Sequence, residues 1–211
     1  MTKKRARDET ERVRRIWDRE AKRFDRSIAL FERFLFTGDR EWVCSQAKGE
    51  VLEVAVGTGR NFKFYPDDVW ITGVELSPRM AELAKERAAL LGRAVDVRIG
   101  DAQSLEFADE SFDTVVVTIS LCSIPDDART LAEIRRVLRR GGQVLLAEHV
   151  RSPNPLVRFV QRLANPLAVR FEGDHWTREP LEHLRREGFE IEEVERRKAG
   201  IVERVRARKP A

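Results

Sequence analysis

Cysteine is scarce in this sequence, with only Cys44 and Cys122 among 211 residues. That scarcity excludes a disulfide framework. The pair also lacks the spacing of a metal site, so no metal ion is expected. Long apolar runs are missing too. The best of them, Val115 to Cys122, is broken by Thr118 and Ser120, well short of the roughly 20 apolar residues that a membrane-spanning helix needs. The N-terminus is basic and then mixed in charge, without the apolar core of a signal peptide. No repeat, low-complexity tract or Gly/Ser linker interrupts the chain. These absences point to a single domain over residues 1–211 in a reducing, cytoplasmic setting. Hydrophobic residues make up 42% of the chain, enough for a complete core.

Charge is plentiful but unevenly spread. Residues 1–27 carry eleven Lys/Arg against six Asp/Glu, and residues 196–211 carry seven against one. Since the net charge is only +4, the middle of the chain is acidic. Basic ends permit an anionic partner such as phospholipid or nucleic acid. A solvated surface on a charge-rich protein is the plainer reading.

Hydrophobic periodicity then divides the chain. Trp17, Ala21, Phe24, Ile28, Phe31 and Leu35 recur at spacings of four and three, which places them on one helical face. Gly38-Asp39 marks its end. Short apolar strands follow at 50–56, 70–76, 95–99, 112–120 and 143–149. Between them come a helix opened by Ser77-Pro78 and another over 126–138 that Gly141-Gly142 should stop. Further on, 153–171 looks helical but interrupted by Pro155 and Pro166. A helix over 177–187 should be capped by Thr177, and 189–194 and 200–205 read as a closing pair of strands. Strands alternating with helices predict an α/β fold: a mixed sheet of about seven strands, mostly parallel, with an antiparallel C-terminal edge and helices on both faces. Residues 1–45 form a helical lid, 46–150 a nucleoside-binding core, and 151–211 the remaining helices and strands.

In such sheets ligands bind beyond the carboxyl ends of the strands. Gly57-Thr58-Gly59 follows the first strand, Glu75 ends the second, Asp101 follows the third, and Ser120 to Ser123 follow the fourth. Glycines at the first turn let backbone approach a ligand. Glu75, 18 residues after Gly57, can accept from ribose hydroxyls. The Asp101 carboxylate can accept from an adenine amine. Glu53, before the loop, can help bind an amino group. A dinucleotide fingerprint needs a third glycine where Phe62 stands, and no Walker lysine pattern follows Gly57. What is left suits a smaller adenosine ligand.

These segments resemble the motifs of the class I S-adenosylmethionine-dependent methyltransferases. Val51 to Asn61 looks like the first motif of that family. Val74 to Met80, Gly100 to Ala102 and Val137 to Gly142 are similar to later motifs in the same order. The resemblance spans roughly residues 10–207 and implies a Rossmann-like fold and S-adenosylmethionine as cofactor. It further implies a cofactor site drawn from Glu53, Ala55, Gly57, Thr58, Gly59, Asn61, Glu75, Leu76, Ser77, Met80, Asp101, Ala102, Gln103 and Ile119, with Trp17 from the lid. Ala55 departs from the glycine usual there. Trp17-Asp18 and Phe24-Asp25 resemble aromatic-acid pairs of the family's lid, although plain helix packing explains Trp17 equally well.

Methyl transfer is an in-line displacement at a sulfonium, which asks the protein to align a nucleophile and exclude water. The segment Ile119 to Asp126 lacks the Asn/Asp-Pro-Pro-Tyr pattern of amino-directed DNA methyltransferases, so no nucleic-acid acceptor is expected. With Glu148-His149-Val150 and Gly173 to Glu179 it resembles the animal alkyl-thiol S-methyltransferases, and more broadly the bacterial quinone and phospholipid methyltransferases. A small, fairly apolar acceptor follows, a thiol being well suited to a site with little acid–base equipment. His175, in a turn before the helix over 177–187, is the candidate for orienting an acceptor proton, against a structural histidine bonded to backbone. His149 ends the fifth strand. Cys122 can touch cofactor or acceptor, against plain burial. Two alternatives stand beside this. One is a phospholipid N- or quinone C-methyltransferase at a membrane, seated through the basic N-terminal helix and Phe31, Phe34, Leu35 and Phe36. The other is a binding module that methylates nothing.

Overall fold

The computed structural model describes residues 3–171 and 173–211, with side chains from Arg7 onward; the first residues of the basic N-terminal segment and Glu172 lie outside that description. A single long helix, α1 (Lys3–Leu35), opens the chain and ends before Gly38, whose φ of 75° turns it into α2 (Asp39–Cys44). The core alternates: β1 (Glu50–Val54), β2 (Trp70–Glu75), α3 (Pro78–Leu90), β3 (Val95–Ile99), β4 (Phe112–Thr118), α4 (Asp127–Val137) and β5 (Leu138–His149). Then come α5 (Pro155–Phe171), α6 (Pro180–Arg186), β6 (Glu190–Arg197) and β7 (Val202–Arg208).

The strands form one seven-stranded sheet in the order β3-β2-β1-β4-β5-β7-β6. β1 to β5 run parallel, and β7 pairs antiparallel with both β5 and β6. The antiparallel element therefore lies at the C-terminal end as expected, but β7 is inserted one place in and β6 forms the rim. Side chains alternate across the sheet with the period-two rule. Leu52, Val115, Val117, Val144 and Leu146 face one core with Leu131 and Ile134 of α4 and Leu181 and Leu184 of α6. Val51, Val116, Leu145 and Ala147 face the other with Val43, Ala81, Ala84 and Ala88. Burying both faces explains why the strands are near-continuous Val/Leu runs.

Three local expectations are corrected. Gly141-Gly142 does not stop α4, which ends at Val137. The glycines lie inside β5, where the register with β4 slips between Phe112 and Thr114. A Cβ on Gly142 would come within 2.9 Å of the Arg139 carbonyl oxygen, and Gly141 has φ 73°, so the irregular strand needs both. Thr177 is not a cap: α6 starts at Pro180 behind Glu179, the proline filling a first-turn position that needs no N–H. Pro166 does not break α5, which continues through it. Ser77 does cap α3, its hydroxyl accepting from the Met80 N–H at 3.2 Å.

Candidate active site

The carboxyl ends of β1 to β4 meet at one cleft of about 650 Å³, lined by Gly57, Glu75, Leu76, Met80, Asp101, Ala102, Ile119 and Ser120 and roofed by Val13, Trp17 and Phe24 of α1. Glu75 is its best-fixed member. One carboxylate oxygen accepts from the Gly57 N–H and the other from the Ser77 N–H, both at 2.9 Å. Burial raises its pKa, and these two amides oppose the rise. Across the cleft Asp101 accepts from the backbone and side-chain nitrogens of Gln103, both at 2.9 Å. The Gln103 oxygen in turn receives the Asp126 N–H at 3.1 Å. Gln103 thus aims Asp101 rather than facing the cleft itself.

The glycine loop divides its duties. At Gly57, with φ 57°, an added Cβ would meet only Phe24 at 3.8 Å, so the backbone lies open to the cleft. At Gly59 it would strike the Phe62 ring at 2.4 Å. Phe62, standing at the third glycine position, is fully buried against that gap. Ala55 adopts φ 54°, a left-handed conformation that glycine would hold with less strain.

Several expected site residues sit behind the cleft. Glu53 accepts from Asn61 Nδ2 at 3.0 Å and from the Tyr65 hydroxyl at 2.9 Å, and Asn61 also donates to Thr118 at 2.9 Å. Burial pushes Glu53 up to about 7 despite these donors and Arg40. Glu53, Asn61 and Tyr65 therefore brace the loop from beneath. The Thr58 hydroxyl donates to Asp25 at 2.6 Å and that of Ser77 to Asp18 at 2.6 Å, so both fasten α1 to the core. A third tie of α1 escaped sequence reasoning: Glu32 holds Arg40 and receives Arg60 at 2.7 Å. Its signal was present, because Trp17-Asp18, Phe24-Asp25 and Phe31-Glu32 repeat every seven residues, two helical turns. The aromatics line cavities while the acids grip the core, and Trp17 and Phe24 pack edge to face at 5.8 Å.

A second cavity adjoins the first, sharing Trp17, Phe24 and Ile119 with it. This chamber of about 1860 Å³ is walled by Ile16, Ile28, Phe31 and Leu35 of α1, Val157, Val160 and Phe171 of α5, Trp176, and His149 at the end of β5. Glu20 and Asp174 add carboxylates to its border, and Ser27 and Gln161 border it with polar groups committed to backbone partners. His149 is different. It is buried, Nδ1 has no hydrogen-bond partner among the described residues, and desolvation lowers its pKa to about 4, so the imidazole is neutral. Next to it Glu148 accepts the Ser120 N–H at 2.9 Å and that of Leu121 at 3.2 Å, fixing the turn after β4, while burial pushes it up to about 8.

His175 and Cys122 line neither cavity. His175 is half-buried, and its backbone N–H donates to the Cys122 carbonyl at 2.9 Å, which ties the 173–176 turn to the loop after β4. Burial raises the Cys122 thiol well above its ordinary range, so it stays protonated beneath that loop. The structure thus moves attention from these two to His149.

A sequence profile described as a methyltransferase domain matches residues 52–146. The chain is 34% identical over 173 residues to the thiol S-methyltransferase TMT1A of Homo sapiens, a match covering 79% of this chain and 70% of that protein. This chain belongs to the S-adenosylmethionine-dependent methyltransferases. Over 119 residues it is 38% identical to a phosphatidylethanolamine N-methyltransferase of Cereibacter sphaeroides, covering 55% of this chain but only 59% of that enzyme. A solved S-adenosylmethionine-dependent methyltransferase of Thermotoga maritima superimposes with a TM-score of 0.70 at 24% identity, covering 92% and 99% of the two chains, and shares the fold.

The cofactor of this methyltransferase is S-adenosylmethionine, and the cleft fits it. Two carboxylates face the cleft between apolar walls, and the buried Ser120 hydroxyl has no hydrogen-bond partner among the described residues, leaving it available to a ligand. Glu75 would hold the ribose and Asp101 the adenine amine, with the Gly57 backbone against the amino-acid end.

Proposed function

We propose that this methyltransferase alkylates a small, fairly apolar acceptor, a thiol in the first instance, held in the chamber between α1 and α5. The observation that carries the reading is the juncture of the two cavities at Trp17, Phe24 and Ile119, with a neutral His149 on the chamber wall whose Nδ1 has no partner among the described residues. When bound, the cofactor supplies an electrophilic methyl group. Trp17 and Phe24 exclude water from the juncture, and the apolar wall orients the acceptor. His149 can accept a hydrogen bond from an acceptor S–H and so orient it, and a thiol needs little more help because its thiolate forms near pH 8.5 and is strongly nucleophilic. The thiol S-methyltransferase relatives support this choice. The reduced state of Cys44 and Cys122 accords with a cytoplasmic setting.

A second reading, methylation of a phospholipid headgroup or a quinol at a membrane surface, is favoured by the apolar outer face of α5 and by the phospholipid and quinone enzymes among the relatives. Seating through the N-terminal helix is less well supported. Phe36 is buried and Phe31 and Leu35 face the chamber, leaving Phe34 as the exposed member of that group. No described helix is long and apolar enough to cross a membrane.

Transfer of labelled methyl from S-adenosylmethionine to thiols, phenols, quinols and phospholipid headgroups distinguishes these. Thiols should turn over at least about tenfold faster than the others; preference for a headgroup or quinol would select the second reading. Cofactor binding at micromolar levels without transfer to any acceptor would leave a binding module.

A further inference from the structure

Most exposed apolar residues in a folded protein are scattered singly. On α5 they are aligned. Leu156, Phe159, Val160, Leu163, Leu167 and Phe171 recur at helical spacings of three and four, and each is more than half exposed, from 57% at Val160 to 73% at Leu156. The buried residues of the same helix, Gln161 and Ala168, lie on another face. The helix contains Arg158, Arg162 and Arg170 and no acidic residue, and none of these arginines enters an ion pair among the described residues. Its C-terminal end is anchored by Arg12 of α1, which donates to the Val169 and Arg170 carbonyls at 3.1 and 3.2 Å.

We infer that the outer face of α5 docks on an anionic bilayer surface. An apolar stripe flanked by Arg170, on a helix whose polar side carries Arg158 and Arg162, has the make-up of a helix lying in the headgroup plane, where apolar side chains enter the acyl boundary and cations meet lipid phosphate. Charge favours lipid over a second copy of the chain, since pairing two such helices face to face would bring together cations with no acid to meet them. Because Val157, Val160 and Phe171 also border the chamber, the docked helix would hold its mouth at the lipid surface. This last consequence rests on the acceptor reading above; the docking does not.

Flotation of the full chain, without cofactor, on phosphatidylcholine vesicles with and without phosphatidylglycerol tests the inference. Wild type should float with the anionic vesicles, preferring them by at least about tenfold, and release as salt is raised. L163E/L167E should cut flotation by about tenfold or more. Because these residues are exposed, the thermal midpoint should hold, and the milder L163S, with a smaller loss, covers the case in which the double variant fails to fold. R162Q/R170Q should lose the anionic preference. Wild type that does not float, or variants that float equally well, would overturn the inference. So would a wild-type dimer, seen by light scattering, that L163E/L167E makes monomeric without vesicle binding. Calorimetry with S-adenosylmethionine reads the cofactor site separately, so neither failure masks the other.

Discussion

The two cavities share three residues and are built on opposite principles. Polar groups of the cofactor cleft come from strand ends and are held by main-chain donors: Glu75 by Gly57 and Ser77, Asp101 by Gln103. The walls of the neighbouring chamber are mostly side chains of α1 and α5, with the Glu20 and Asp174 carboxylates and the His149 imidazole as ionisable groups among them. A ligand rich in hydroxyls and amines rewards donors and acceptors fixed in advance, whereas an apolar one rewards area and shape. Substitutions should therefore separate cleanly, with those in the cleft moving cofactor affinity and those in the chamber moving turnover.

The largest effect should come from Glu75→Ala. Losing the carboxylate strips the cofactor of an acceptor and leaves two amides without their partner, so calorimetric affinity for S-adenosylmethionine should fall about a hundredfold. A change of less than threefold would break the contrast. Next is His149→Leu, which should lower kcat/KM by about tenfold or more while cofactor affinity stays within about twofold. An equal loss of both would show that the chamber is not separate.

The same histidine leaves a mark on stability. Native His149 stays neutral down to about pH 4, whereas the unfolded chain takes up a proton near 6.5. Its environment therefore costs stability progressively as pH falls from about 6.5 to 4, and His149→Leu should flatten that acid limb in thermal melts. Glu148 acts with the opposite sign. Raised to about 8, it keeps a proton that the unfolded chain gives up near 4.5, so stability is full below that value and declines as pH rises toward 8. Glu148→Gln, which still accepts the Ser120 N–H, should lose less of its thermal midpoint between pH 5 and 8 than wild type. The smallest effect belongs to Ala55→Gly. Relieving a left-handed alanine should stabilise the chain by at most about 1 kcal/mol, offset in part by a more flexible unfolded state, and should leave cofactor affinity close to wild type.

Much of the cleft was legible in the sequence, because a parallel sheet converts strand ends into site positions. Gly57, Glu75 and Asp101 were found by that rule alone, and Ser77-Pro78 announced its helix by local chemistry. What could not be read depended on distant partners. Asn61 meets Thr118 across 57 positions, and Glu148 meets Ser120 across 28. His175 stood out in its turn before a helix and His149 at the end of a strand, and only burial separates a chamber wall from a half-exposed turn. The placement of β7 inside β6 is likewise a matter of long-range pairing, which two adjacent strand signals do not specify.

The three acids of α1, two turns apart, carry a kinetic consequence. Asp18, Asp25 and Glu32 each bridge to a different part of the core, at Ser77, at Thr58 and Arg87, and at Arg40 and Arg60. A helix sewn down at three points along one line should open like a seam rather than a hinge, with the spent nucleoside expected to leave only after the stitches nearest the cleft have parted. Two of the three are ionic, so product departure should quicken as salt is added while the chemical step is little changed.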